Sequence, residues 1–169
     1  VLISRGNKIY NLIFSTLASK TENELEVFDK ILSTFKFIDD VALAKESLIK
    51  YFYLLNTKQY EEAVKYYGGS YQVLEDYNSV SDHVELIKKV CENNGFQCLV
   101  VKEILEEKQV SSSEFKFTVQ FSNDNGTIFQ RGPCCGATEE QMPSQTEFKY
   151  TIIKKDNNFL ITSLPPYVP

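Results

Sequence analysis

The sequence predicts an α+β chain in which helices lead and an antiparallel sheet follows. Three observations carry that prediction. Between Asp39 and Tyr67 the apolar residues Val41, Ala44, Leu48, Tyr51, Phe52 and Leu55 recur at helical spacing along one face. Further on, Phe115, Phe117, Val119 and Phe121 alternate with polar residues, the period of a half-buried strand. Asn123-Asp124-Asn125-Gly126 and Asp156-Asn157-Asn158 are turn sequences of the kind that join such strands into hairpins.

The elements follow in order. Val1 to Ser4 and Ile9 to Leu17 read as two strands joined at Gly6-Asn7, where positive φ is tolerated. Thr21 with Glu24 forms a capping box for a helix carrying Leu25, Phe28, Ile31, Leu32 and Phe35 on one face. These first 38 residues are about the minimum that holds a core unaided, so the segment is expected to dock elsewhere or to belong to a larger domain. A second domain is read over residues 39–169. Asp39 is placed as N-cap of its first helix, with Ile38 stapling to Leu43, and Glu46–Lys50 and Glu61–Lys65 are spaced as i,i+4 pairs. A short helix spans about Gln59 to Tyr67 and stops at Gly68-Gly69. After a tyrosine-rich bend, Ser79 or Ser81 is expected to cap a helix with Val84, Ile87, Val90 and Cys91, ended by Asn93-Asn94-Gly95. Strands are read from Phe96 to Lys108, at Phe115 to Phe121, over Thr127 to Gln130, from Phe148 to Ile152 and over Phe159 to Leu164, with a Gly, Cys and Pro loop from Arg131 to Gln145.

Composition narrows the function. Of 169 residues, 43% are apolar and 24% charged, the balance of a folding chain. The net charge is −5 with no basic cluster, so no nucleic-acid partner is expected. The longest apolar stretch, Leu48 to Leu55, is interrupted by Lys50 and falls short of the ~20 residues that span a bilayer, so no transmembrane segment is read. The chain begins at Val1 and its single Met is Met142, so a leader or lipid anchor is expected upstream and the location is read as extracytoplasmic.

Four cysteines, Cys91, Cys98, Cys134 and Cys135, are the most informative set. Adjacent residues fit disulfide geometry badly, so Cys134 and Cys135 are expected to reach across to Cys91 and Cys98. Such bridges would close loops of about 40 residues, worth roughly 3 to 4 kcal/mol each. A zinc or other thiolate site and free or redox-active thiols are the alternatives, although C-x6-C with C-C does not match the usual C-x2-C zinc knuckle. His83 is the only histidine and stands beside Asp82, but neighbouring helical side chains diverge, so a dyad is not expected. Seven of the ten tyrosines crowd between 51 and 77. Tyr51, Tyr67 and Tyr71, with His83, are the pocket candidates, able to stack an apolar or ring-shaped ligand; packing within the core is the competing reading. Paired acids such as Glu106-Glu107 and Glu139-Glu140 read as solvated charge. Asp76 and Asp82 are the carboxylates a buried base would most plausibly use. No catalytic residue, metal or cofactor is assigned.

The element order from Asp39 to Pro169, with "KESLIKYFYLLNTKQYEEAVKYY" and the closing "FLITSLPPYVP", resembles the nuclear transport factor 2-like cone fold. In that fold, helices pack in a curved antiparallel sheet that leaves a pocket. "CENNGFQCL" and "GPCCGATEEQMP" resemble uncharacterised exported or lipid-anchored bacterial proteins of this class, and "FDKILSTFKF" resembles the end of a PsbP-like domain. The resemblance implies a concave pocket but no particular chemistry, since such folds serve isomerases and cyclases as well as inert accessory modules. The expectation is a non-catalytic ligand-binding or protein-interaction module of the bacterial envelope. A small-molecule isomerase, cyclase or hydrolase is the alternative, and a structural spacer the third reading.

Overall fold

The computed structural model of the chain describes residues 2–5, 8–15, 21–34, 39–93 and 95–168. Its contacts divide it into two compact units, 1–38 and 39–169. In the first, β1 (Leu2–Arg5) and β2 (Lys8–Asn11) pair antiparallel, from Leu2 opposite Asn11 to Arg5 opposite Lys8. β2 is shorter than the Ile9 to Leu17 reading: among the described residues its paired run ends at Asn11, opposite Leu2. Helix α1 (Thr21–Thr34) follows, with Glu26 and Lys30 paired at 2.7 Å one turn apart and Phe28 stacked on Phe14 at 4.8 Å. The Gly6-Asn7 turn, Phe35 and the Ile38 staple lie outside the described residues.

The second unit opens where an aspartate can satisfy helix N–H groups. The Asp39 carboxylate accepts from the Val41 and Ala42 amides at 3.1 and 3.3 Å, and α2 (Asp40–Asn56) runs from there. Ala44, Leu48, Tyr51, Phe52 and Leu55 are all at most 1% exposed and form its inner face. Helix α3 (Tyr60–Ala63) continues as a 3-10 turn over Val64–Tyr66. Within it Lys65 pairs with Glu62 at 2.6 Å, at i,i+3 in place of the expected Glu61.

Two helical elements depart from the reading above. The tyrosine-rich bend contains a helix, α4 (Gln72–Asn78), whose Leu74 packs with Leu86 and Val90 in a small second core. Helix α5 (His83–Asn93) is capped by Asp82, which accepts from the Glu85 amide at 2.8 Å, and by neither serine. Ser79 is already committed as the left-handed C-cap of α4, at φ 51°.

The sheet is four-stranded, antiparallel and open, in the order β3 (Val100–Gln109), β4 (Glu114–Ser122), β5 (Phe148–Lys155), β6 (Asn158–Ile161). Phe115 faces Ile152, Phe117 faces Tyr150 and Val119 faces Phe148, so the alternating apolar residues share one face. All six are at most 6% exposed, beneath α2. Asp156 and Asn157, with φ of 49° and 64°, turn β5 into β6. β3 is an edge strand, with register shifts at Val101/Glu103 and Ile104/Glu106. Thr127 to Gln130 is not a strand. Asn125 and Asn123 bind Thr127 at 3.0 and 2.9 Å, and this tightly bonded turn leaves only the Ser122–Ile128 bridge. Phe96 likewise stays out of β3 and bridges Tyr167 in the C-terminal segment.

Candidate functional site

The structure brings all four pocket candidates together, as a run of ring contacts leading from the core to the surface. Phe52 sits edge-on to Phe121 and Tyr150, at 4.7 and 5.0 Å, filling the space between α2 and the sheet. Tyr51, its neighbour on α2, is fully buried and stacks on Tyr67 at 6.2 Å. Tyr67 meets Tyr71 edge-on at 4.9 Å, and Tyr71 lies flat on His83 at 3.7 Å with planes 8° apart. His83 is half exposed and its Nε2 lies 3.3 Å from Glu75 Oε1. The residue beside it in sequence, Asp82, is committed to the α5 cap.

Local backbone explains the run. Tyr67 follows the 3-10 turn in extended conformation and bridges Ile161, with the Gly68 amide donating to the Ile161 carbonyl at 2.8 Å. This ties the tyrosine to the edge of β6. At Gly69 a Cβ would strike the Tyr67 hydroxyl and lie 2.5 Å from the Thr162 carbonyl oxygen, so only glycine lets the ring settle there. Tyr71 then opens α4, and α5 carries His83 back across it.

The electrostatics are those of packed phenols. Burial pushes Tyr51 and Tyr150 well above the ordinary tyrosine range and raises Tyr67; burial and then Tyr67 push Tyr71 up to about 12. Such phenols keep their protons at neutral pH and cannot serve there as bases or nucleophiles. Tyr67 donates to the Ser70 carbonyl at 3.3 Å, whereas the buried Tyr51 hydroxyl has no hydrogen-bond partner. Asp76 and Asp82 are exposed, and Asp76 accepts from Gln72 Nε2 at 3.0 Å, so neither is a carboxylate sealed in an apolar interior.

Four surface grooves are described, and none of them is lined by Tyr51, Tyr67, Tyr71 or His83. The two largest, about 570 and 640 Å³, lie beside Lys50, Lys65 and Asn157 and beside Asn56, Glu92 and Asp124. In the second, Tyr60 donates to Glu92 at 3.3 Å, and its phenol is pushed up to about 12, by burial first and then by the Glu92 charge.

The cysteines correct the expected cross-pairing. Cys91 is bonded to Cys98, with Cα atoms 5.5 Å apart, while Cys134 and Cys135 are free. Gly95, at φ 73°, turns the chain at the end of α5 and brings Cys98 back under Cys91. The bridge spans a separation of only 7 residues, so its chain-entropy contribution is about 2.5 kcal/mol, less than the long loops would have given. Among the described residues no group of three or more His, Cys, Asp or Glu could hold a metal ion, and no helix is long and apolar enough to cross a membrane.

Sequence reasoning missed Tyr150 and Glu75. Tyr150 carried a signal, its inward place in the Phe148, Tyr150, Ile152 alternation; Glu75 carried none, because its meeting with His83 depends on the unforeseen α4. No protein-family model matches the chain, and no curated protein matches it.

Proposed function

We propose that the chain is a non-catalytic, extracytoplasmic protein-interaction module of a bacterial envelope protein, with residues 39–169 forming a nuclear transport factor 2-like domain and residues 1–38 the end of a PsbP-like unit. One observation carries the reading. The interior between α2 and the sheet, where a cone-shaped fold would keep its ligand, is occupied by Tyr51, Phe52, Phe121 and Tyr150 at ring separations of 4.7 to 5.9 Å. Close-packed rings at these distances leave no volume for a further ring. The working surface is therefore the outside of the domain. The phenols of the ring run, protonated at neutral pH, supply neither a base nor a nucleophile, which favours a binding role over turnover. The Cys91–Cys98 disulfide supports an oxidising compartment.

Native mass spectrometry of the full chain, produced in an oxidising compartment and desalted without denaturation, tests the reading. The expected mass is that of the polypeptide alone. A small molecule retained under native conditions and lost on unfolding would overturn the closed interior and revive the small-molecule enzyme alternative.

A further inference from the structure

The loop between β4 and β5 is built around the two free cysteines. At its base Arg131 and Gln145 exchange backbone hydrogen bonds, both 2.9 Å, and the Arg131 guanidinium donates to Gln145 Oε1 at 2.6 Å. Further along, Glu139 accepts from the Ser144 amide and hydroxyl at 2.6 and 2.9 Å, and Gln141 Oε1 accepts from the Thr138 amide at 2.9 Å. Cys134 and Cys135 sit in a turn closed by the Ala137 amide on the Cys134 carbonyl at 2.9 Å. Cys135 is held at φ 60° and Gly136 at φ 85°. This conformation turns both thiols to the same side, with Cys135 Sγ donating to Cys134 Sγ at 2.9 Å. Cys135 is exposed and Cys134 partly so.

We propose that Cys134 and Cys135 form a redox site, a vicinal dithiol that closes to an intrachain disulfide by exchange with a small disulfide of the glutathione class. The exposed Cys135 thiolate attacks one sulfur of the small disulfide RSSR, forming a mixed disulfide and releasing RS⁻. Cys134, already in contact, attacks the Cys135 sulfur, forming the Cys134–Cys135 bond and expelling the second RS⁻. The two protons given up by the cysteines go to the two RS⁻, so two thiols and one RSSR become one disulfide and two RSH. The order follows exposure: Cys135 lies open to the solvent and Cys134 only partly so, which favours Cys135 as first nucleophile. Adjacent residues joined by a trans peptide have Cα atoms about 3.8 Å apart, short of the usual disulfide span of roughly 4.4 to 6.8 Å, so the bond is strained and readily reopened. The Cys91–Cys98 pair, at 5.5 Å, lies within that span and keeps to its structural role. This site stands independently of the interaction role proposed above.

The test uses the full chain, equilibrated across a series of reduced-to-oxidised glutathione ratios, alkylated and digested with trypsin. Cleavage after Arg131 and Lys149 isolates both cysteines in one peptide, residues 132–149. The expected result is passage from a doubly alkylated peptide to one that carries no glutathione and no alkyl group and is two hydrogens lighter than the unmodified dithiol peptide. Its midpoint should fall at a ratio at least about tenfold more oxidising than the one that opens Cys91–Cys98. In Cys135→Ser the peptide should instead retain one glutathione on Cys134. A wild-type peptide that stays doubly alkylated throughout, accumulates glutathione, or links to a second chain would overturn the proposal.

Discussion

Replacing Tyr51 by Phe should stabilise the protein, although the residue lies at the centre of the core. Its side chain is fully buried and its hydroxyl is the one buried side-chain polar atom among the described residues without a partner. An unpaired buried hydroxyl carries a desolvation penalty of about 1–3 kcal/mol. Removing the oxygen leaves the ring contacts with Phe52 and Tyr67 in place and opens a void of roughly 10 Å³, worth about 0.2 kcal/mol at ~24 cal/mol per Å³. The net expectation is a gain of about 1–3 kcal/mol. Because the chain has no Trp, urea unfolding is best followed by far-UV circular dichroism, comparing midpoints at equal slope. In a thermal scan the gain should appear as a rise of about 3–5 °C per kcal/mol. A loss of about 1 kcal/mol or more would refute the reasoning, because the hydroxyl would then be engaged inside the protein and the interior would not be the closed, apolar one described above.

Two further outcomes follow from the same structure. Tyr51, Tyr67, Tyr71 and Tyr150 all bind their phenolic protons more tightly folded than unfolded, so their contribution is complete below the ordinary tyrosine value near 10 and is lost as pH rises through the folded values. Unfolding free energy should therefore hold level below that pH and fall above it. Tyr71→Phe should reduce the slope between 10.0 and about 12 by close to one proton, and an unchanged slope would refute the assignment. Gly95→Ala should cost about 1–3 kcal/mol, since φ of 73° disfavours any Cβ and that atom would strike the Val168 carbonyl oxygen. The variant should also lose the C-terminal segment to protease faster than wild type, because the Val168 amide docks on the Gly95 carbonyl at 2.8 Å; equal cleavage rates would count against this.

What the sequence made legible was local. Asp39 stands immediately before a helical apolar face, and its carboxylate caps α2; Phe115 to Phe121 alternate, and the strand buries those four residues. Asp156-Asn157 tolerates positive φ, and β5 turns into β6 there. Where the reading failed, the deciding contact was distant or the local signal was divided. Helix α4 has seven residues, too few for a clear period, and is anchored by Leu74 against Leu86 and Val90 from the next helix. Ser79, Ser81 and Asp82 are all competent caps; α4 claims Ser79, and it is the Asp82 carboxylate that meets the Glu85 amide. The cysteine pairing turned on Gly95, which reverses the chain within a few residues where the spacing alone suggested a long reach. The crowding of tyrosines marked the ring run, but its path required Tyr67 to bridge Ile161 at the far end of the chain, and no local pattern encodes that.

The two margins of the open sheet are treated differently, and that bears on how another protein could engage it. Along β6 the backbone of Tyr67 and Gly68 already occupies hydrogen-bonding positions at Ile161. Along β3 two bulges break the regular ladder, and Lys102, Glu103, Glu106, Glu107 and Lys108 crowd the strand with charge. Bulges and charges of this kind discourage an incoming strand, whether from a partner or from a second copy heading toward a fibril. Recognition by strand addition is thereby disfavoured at both margins. A protein that engaged this sheet would instead have to read side chains, so its specificity should respond to point substitution on the domain surface, and the four-stranded sheet should resist edge-to-edge growth at high concentration.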